Sequence, residues 1–264
     1  MKWCWTQYKV PEAKVKVILV NPPRFHGIPV LREYCCEIPE RYSVLPAYSL
    51  LQIASLLRQE GHDVFLVDTN GENIYYSQFS SRLEGLAYQA LIFRFTPPTF
   101  DWDMETAKLS KGLHSQAMTV SICWTLRTMP KVVPDEAHEL DIYLRHEYEV
   151  VAVQLIDAMA REEDDLAKIP RIAYRDGGKI HVNSDAEPVE DYDSLHLLAY
   201  DLLPGLRNYF IDNHEGEPSI IIYSSKGCPY GCIFCTVAKT KWKKRGTTSI
   251  LQELEYLKES YNIK

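Results

Sequence analysis

The sequence predicts an α/β protein whose first part is built on a parallel β-sheet. Short apolar runs rich in β-branched residues alternate with amphipathic segments between residues 15 and 160. This alternation is typical of βαβ units, in which a helix follows each strand and packs on the sheet. A separate apolar run near residue 220 leads into a cysteine-rich loop, which indicates a second unit.

Local patterns place the elements of the first unit. The first strand ends before Pro22 and Pro23, because proline cannot donate a hydrogen bond to a ladder. Leu50 and Leu57 belong to an apolar stripe with helical spacing. We interpret residues 24–42 as a loop. The predicted strands cover residues 15–20, 63–67, 90–93, 118–123 and 141–144, and the predicted helices cover residues 47–57, 76–88, 101–113 and 147–160.

This order predicts a Rossmann/flavodoxin-like parallel sheet with helices on both faces, in which ligands bind beyond the carboxyl ends of the strands. We expect an N-terminal arm at 1–14, the sheet domain at 15–160, a connector at 161–218 and a second unit at 219–264. The connector is expected to have little core of its own. It contains a predicted β-hairpin, at 172–174 and 179–182, around a Gly-Gly turn.

The second unit is predicted to be one strand, the cysteine loop and one helix. The strand covers residues 219–223. Ser249 and Gln252 have the spacing of a capping box at the start of the helix. The apolar face of this helix is expected to consist of Ile250, Leu254, Leu257 and Tyr261.

Composition excludes several classes of protein. The 264 residues carry a net charge of −7, which disfavours a nucleic-acid partner. No apolar run has the length of a membrane span, and the N-terminus has no apolar core of signal-peptide length. The basic run at 239–245 is short, and we interpret it as a solvated loop. We expect a soluble, cytoplasmic protein.

Three of the seven cysteines form the pattern C-x3-C-x2-C, at Cys228, Cys232 and Cys235. A structural zinc site needs four ligands, and a disulfide is unfavourable in the cytosol. An iron–sulfur cluster is commonly held by thiolates. Three thiolates on a four-iron cluster leave one iron open to a substrate or cofactor.

The stretch Ser225-Lys-Gly-Cys-Pro-Tyr-Gly-Cys-Ile-Phe-Cys235 resembles the cluster loop of the radical S-adenosylmethionine (SAM) enzymes. The resemblance implies that the three cysteines hold a [4Fe-4S] cluster whose fourth iron binds SAM. It also implies that Phe234 packs near the SAM adenine. The strand, loop and helix of the second unit would then be the first part of a partial α/β barrel.

Upstream segments resemble the cobalamin-binding domain of one radical SAM subclass. They are Val17-Ile-Leu-Val-Asn-Pro-Pro23, the stretch at 45–64 and the stretch at 169–178. The resemblance implies cobalamin as a further cofactor and places Asn21 and Thr96 on the corrinoid side of the sheet. Asp68, at a strand end, either contacts a ligand or caps a turn.

Two motifs depart from that subclass. A glycine pair is expected after the fourth strand, where this sequence has Trp124 and Arg127. Glycines are also expected after the fifth strand, where this sequence reads Arg145-His-Glu-Tyr-Glu149. A Cβ atom blocks the close backbone approach that glycine allows. We therefore expect weak or absent corrinoid binding.

The resemblance implies the front part of a radical SAM enzyme, either a cobalamin-dependent methyltransferase or a ring-forming cyclase. It would act on a small-molecule or cofactor-like substrate and take electrons from a flavodoxin or ferredoxin. No catalytic side chain is assigned. Because one strand, one loop and one helix make only part of a barrel, we expect residues 1–264 to hold a cluster without turning over SAM. The alternative is a non-catalytic iron–sulfur or corrinoid-binding module of a larger assembly.

Overall fold

A computed structural model of the chain describes residues 13–33, 36–185, 192–194, 197–211 and 220–262. The strands are β1 (Lys16–Asn21), β2 (Val30–Glu33), β3 (Cys36–Pro39), β4 (Ser43–Val44), β5 (Asp63–Asp68), β6 (Ala90–Arg94), β7 (Met118–Ile122), β8 (Ile142–Leu144), β9 (Ile172–Asp176), β10 (Lys179–Val182), β11 (Phe210–Ile211), β12 (Ser225–Lys226) and β13 (Lys243–Lys244). The helices are α1 (Tyr48–Gln59), α2 (Thr69–Glu72), α3 (Tyr76–Glu84), α4 (Phe100–Leu113), α5 (Val132–Glu136), α6 (Tyr148–Ala160) and α7 (Thr247–Tyr261).

The main sheet has seven strands in the order β10-β9-β8-β7-β6-β1-β5. The five strands from β8 to β5 are parallel, and the β9–β10 hairpin continues the sheet in antiparallel orientation beside β8. The predicted α/β class is therefore confirmed, with strand boundaries within one or two residues of the expected ones. The order reverses beside β1, and in such sheets this switch point is where ligands bind.

Helices cover both faces of the sheet because alternate side chains of each strand point to opposite sides. Val17 and Leu19 of β1 belong to an apolar cluster that includes α1 and α6. Ile18 and Val20 belong to the cluster that includes α3 and α4. The near-continuous apolar runs of the strands are what two buried faces require.

The segment from residue 24 to 42, which we expected to be a loop, contains the β2–β3 hairpin, so that prediction is wrong. The two strands pair antiparallel over four residue pairs. Sequence reasoning missed the hairpin because its inward-facing side chains are charged rather than apolar. Arg32, Glu33 and Glu37 are each less than a tenth exposed.

The connector contains more buried structure than we expected. Its hairpin is part of the main sheet, since β9 pairs with β8. Tyr200 and Tyr209 are fully buried. The Tyr209 hydroxyl donates to Asp68 Oδ2 at 2.7 Å, and the Tyr200 hydroxyl donates to Glu253 Oε1 at 2.6 Å. These two bonds link the connector to the sheet and to α7.

The C-terminal unit differs from the expected strand–loop–helix in three ways. Residues 220–223 form no strand, since no described segment pairs with them, and Ser219 lies outside the described residues. The antiparallel pair β12–β13 brackets the cysteine loop instead. Helix α7 begins after Gly246 with no side-chain cap, so the predicted capping box is wrong.

The buried face of α7 also differs from the expected one. Leu257 is buried as predicted, whereas Leu254 is 46% exposed. Glu253 takes the buried position because it accepts hydrogen bonds from Tyr200 and from Arg245. Within the described residues, no helix combines the length and the apolar character needed to cross a membrane.

Arg94 lies at the end of β6, the middle one of the five parallel strands, and is the largest fully buried side chain among the described residues. Its guanidinium donates to Ser49 Oγ at 2.7 Å, to the Tyr148 hydroxyl at 3.0 Å and to Glu37 Oε1 at 3.2 Å. Glu33 Oε2 lies 3.6 Å away. Burial alone would lower the pKa of Arg94, but the surrounding Glu33, Tyr148 and Glu37 raise it above its ordinary value. Arg94 therefore stays charged inside the core.

We predict that Arg94→Met destabilises the protein by about 3–5 kcal/mol, because it leaves two buried carboxylates without their counter-charge. The measurement is the urea midpoint of unfolding. Arg82→Ala is the matched control, because Arg82 also forms a two-oxygen ion pair, with Glu72, but is 45% exposed. The control should cost no more than about 1 kcal/mol. Equal midpoints for the two variants would contradict the prediction.

Candidate functional site

The three cysteines of the motif lie on the loop between β12 and β13. All three are free thiols; Cys232 is exposed, and Cys228 and Cys235 are partly exposed. The backbone of the loop is held by its own hydrogen bonds. Cys228 N donates to Thr240 Oγ1 at 2.9 Å, and Cys235 N donates to Cys232 O at 3.2 Å. The thiols therefore lie on one solvent-accessible loop whose backbone is held by internal hydrogen bonds.

Two buried ion pairs fix the base of this loop to the first turn of α6. Lys226 Nζ lies 2.8 and 2.9 Å from the carboxylate oxygens of Glu149. Lys243 Nζ lies 2.7 Å from Glu147 Oε1. Burial disfavours the charged form of Lys226, but the Glu149 carboxylate outweighs it and raises the Lys226 pKa. The two ends of the loop, at Lys226 and at Lys243, are thus each held by a buried ion pair.

The burial of these paired residues differs from the sequence-based prediction. The basic run at 239–245 was predicted to be solvated, but Lys243 is 7% exposed and paired, so the prediction fails at this residue. The stretch 145–149 had been noted only for its missing glycines. Its two glutamates are the acceptors for the loop lysines. The sequence carries no local signal for these pairs, because each lysine lies far along the chain from its glutamate.

Gly227 is required where the chain turns into the cysteine loop. Its φ of +88° lies in the region that favours glycine. A Cβ atom at this position would lie 2.1 Å from the carbonyl oxygen of Lys241. The two sides of the loop base therefore approach as closely as their backbones allow.

The donor set suits an iron–sulfur cluster in chemical type, because three free thiols occur within eight residues and none is in a disulfide. Within the described residues, no three His, Cys, Asp or Glu side chains form a group that could hold a metal ion. The assignment of Cys228, Cys232 and Cys235 as cluster ligands therefore stays a prediction. Phe234 is 88% exposed on the same loop, and its assignment to the SAM adenine also stays a prediction.

At the carboxyl ends of β1 and β5, the chain fills the predicted ligand edge with its own side chains. Asn21 Nδ2 donates to Asp68 Oδ1 at 2.8 Å, and Arg32 Nη1 donates to Asn21 Oδ1 at 3.2 Å. Arg32 also lies 2.7 Å from Asp103 in a buried ion pair. Asp68 accepts from Gly71 N, so of the two roles left open for it the structure shows the cap. Asn21 is 3% exposed.

Glu37 fills the neighbouring edge at the ends of β6 and β7. Its carboxylate accepts from the backbone N–H groups of Trp124 at 3.1 Å and Thr125 at 3.2 Å. Its backbone carbonyl accepts from Thr96 Oγ1 at 2.6 Å. Thr96 is fully buried. The corrinoid roles predicted for Asn21 and Thr96 stay predictions, and both side chains already have partners within the chain.

A cavity of about 620 Å³ lies between the base of the cysteine loop and the ends of β7 and β8. Trp124 forms part of its wall and is 6% exposed. The Arg127 guanidinium stacks over the Trp124 indole, 4.8 Å from the ring centroid. The residues that replace the expected glycine pair thus line a cavity beside the cysteine loop.

We predict that Gly227→Ala disorders the base of the cysteine loop. Gly178→Ala is the matched control: Gly178 also has a positive φ, of +77°, but a Cβ atom there meets nothing within 4 Å. Both variants bear the cost of a left-handed alanine, about 1–2 kcal/mol. Only the first adds a backbone clash.

The measurement is amide hydrogen exchange across Cys228–Cys235. Exchange in this segment should rise strongly in Gly227→Ala and stay unchanged in Gly178→Ala. Unchanged exchange in both variants would contradict the prediction, because it would mean that a Cβ atom fits at position 227.

Comparison with curated proteins finds methyltransferases and a cyclase. The chain is 25% identical over 222 residues to an uncharacterized methyltransferase of Pyrococcus horikoshii, covering 83% of the chain and 47% of that protein. It is 24% identical over 254 residues to the anaerobic magnesium-protoporphyrin IX monomethyl ester cyclase of Synechocystis, covering 94% of the chain and 48% of that protein. The chain therefore spans less than half the length of these curated relatives. No family model matches the chain.

Solved structures share the fold. The radical SAM methyltransferase TsrM from Kitasatospora setae, solved with cobalamin and a [4Fe-4S] cluster, superimposes with a TM-score of 0.66 at 17% identity, over 94% of this chain and 46% of that one. The cobalamin-dependent radical SAM enzyme OxsB, solved with aqua-cobalamin, gives 0.72 at 19% identity, over 95% and 33%. The chain thus shares the fold of these two solved radical SAM enzymes, and its sequence is similar to those of curated methyltransferases and a cyclase.

Proposed function

We propose that the chain is part of a radical SAM enzyme that transfers a methyl group or closes a ring on a small molecule. The observation that carries the proposal is the tied loop with three free thiols at C-x3-C-x2-C spacing, beside the carboxyl edge of a parallel sheet. The curated relatives support it, because they include methyltransferases and a cyclase. The alternative, a non-catalytic module, has no comparable observation in its favour.

In the proposed site, Cys228, Cys232 and Cys235 hold the cluster through their thiolates. When bound, a [4Fe-4S] cluster supplies the electron for reductive cleavage of SAM. Phe234, exposed on the same loop, supplies an apolar surface for the adenine ring of SAM. The electron donor is proposed to be a flavodoxin or ferredoxin, for which the exposure of Cys232 leaves a short path from solvent.

The residues around the loop have positioning roles in this proposal. Lys226 and Lys243 anchor the loop to α6 through Glu149 and Glu147. Because both pairs are buried, they give the loop a defined place relative to the sheet rather than a solvated, variable one. The four described thiols, Cys123 and the three of the loop, are all unbridged. A reducing compartment, the cytoplasm, is therefore the proposed setting.

We propose that a corrinoid binds only weakly at the carboxyl edge of the sheet. The carboxylate of Glu37 occupies the backbone N–H groups of Trp124 and Thr125, at the place where the glycine pair was expected. A corrinoid tail would need to displace a buried carboxylate that also pairs with Arg94. We therefore propose that this chain binds the iron–sulfur cluster of a radical SAM enzyme and binds cobalamin only weakly.

We predict that the chain, reconstituted anaerobically with iron and sulfide, binds one [4Fe-4S] cluster. The Cys228→Ala, Cys232→Ala, Cys235→Ala triple variant should bind none, because three thiolates are removed together. Cys123→Ala is the matched control, since Cys123 is a buried free thiol outside the loop. It should retain the full cluster content.

The measurements are iron and acid-labile sulfide per chain and the electron paramagnetic resonance spectrum of the reduced protein. Addition of SAM should change that spectrum, since SAM is expected to ligate the open iron. Stoichiometric zinc without sulfide, or a cluster that survives in the triple variant, would refute the proposed site.

A further inference from the structure

The cavity beside the cysteine loop has a strongly cationic lining. Its volume of about 620 Å³ is in the range of small-molecule binding sites. Two acidic residues, Glu147 and Asp185, also line it. The six cationic lining residues are Arg127, Arg145, Arg171, Lys226, Lys241 and Lys243. Cationic side chains therefore outnumber acidic ones by three to one, in a chain whose net charge is −7.

Ion pairs take up part of this charge. Lys226 pairs with Glu149 of α6, Lys243 pairs with Glu147 just before α6, and Arg145 pairs with Asp185. Arg127 forms no ion pair with a described carboxylate: it donates to the Trp124 carbonyl at 3.4 Å and stacks over the indole. A guanidinium held flat on an aromatic ring keeps its edge N–H groups available for an oxyanion.

A second buried donor belongs to the same cavity. Arg145 is 8% exposed, and its Nε atom has no hydrogen-bond partner among the described residues. Buried donors are normally satisfied, but this Nε atom is itself closed off from solvent, so it is not counted as a donor to a ligand. Arg127 and Arg145 both line the cavity, and guanidinium groups are of the kind that bind phosphate.

We propose that this cavity binds the phosphate or pyrophosphate group of a small-molecule substrate. A phosphate carries about −1.5 to −2 charges at pH 7, which suits a cavity lined by more cationic than acidic side chains. Trp124 and Arg127, which replace the expected glycine pair, then have a positive role: they build the anion site. Binding of phosphate here is independent of the cluster, whereas its assignment to the substrate of radical chemistry rests on the proposed function.

The test is calorimetric titration of the cluster-free chain with inorganic pyrophosphate at low ionic strength. The unmodified chain should bind it saturably, with one site. Arg127→Gln should weaken binding by at least tenfold, and so should Lys241→Gln, a change at an exposed residue that lines the cavity. Lys108→Gln is the matched control, because Lys108 is an exposed lysine on α4, outside the cavity, and its variant should bind normally.

The absence of saturable binding by the unmodified chain would overturn the proposal, as would equal binding by the Arg127, Lys241 and Lys108 variants. The triple cysteine variant should bind pyrophosphate normally, so failure of the cluster site and failure of the anion site are distinguishable. Hydroxocobalamin carries a phosphodiester in its nucleotide tail, and dicyanocobinamide does not. Displacement of pyrophosphate by the first alone would overturn the assignment to a substrate and place a corrinoid phosphate in the cavity.

Discussion

The charge of Arg94 in the middle of the core is the constraint on which the rest of the structure depends. A buried guanidinium is tolerated only where carboxylates and further hydrogen bonds surround it. The β2–β3 hairpin supplies Glu33 and Glu37, and α6 supplies the hydroxyl of Tyr148. The hairpin must therefore lie across the carboxyl edge of the sheet. The residues on either side of Tyr148 are Glu147 and Glu149, which hold the lysines at the base of the cysteine loop. One set of contacts thus runs from the central strand to the candidate metal site.

The same arrangement makes two neighbouring parts of the carboxyl edge of the sheet different. Glu37 takes the backbone donors at the end of β7, and Arg32 takes the polar groups at the end of β1. Polar groups that a ligand could otherwise bind are thus already paired within the chain. Further along the same edge, at the ends of β7 and β8, the chain leaves a cationic cavity with Arg127 and Arg145 in its walls. We therefore propose that this edge binds an anion beside the cysteine loop more readily than a corrinoid at the switch point.

Much of the fold could be predicted from the sequence because its signals are local. Apolar runs such as 90–93 are buried on both faces, and their short length separates them from the helices. The cysteine loop is recognisable from its spacing and from the resemblance of residues 225–235 to a known cluster loop. The hairpin at Val30–Pro39 was missed because charged side chains were assumed to face water, whereas Arg32 and Glu37 are satisfied only by partners distant in sequence. The burial of Lys226 and Glu253 could not be foreseen for the same reason. A strand at 219–223 was expected from its β-branched residues, but a strand also requires a partner, which local sequence does not specify.

The central claim is that three thiolates of this chain hold a four-iron cluster with one iron left open to SAM. The most direct measurement is the Mössbauer spectrum of the chain reconstituted with iron-57, recorded with and without excess SAM. The account predicts a [4Fe-4S] spectrum in which one iron subsite changes its isomer shift when SAM is added while the other three do not. A spectrum of mononuclear iron, or four iron subsites that remain unchanged by SAM, would contradict it.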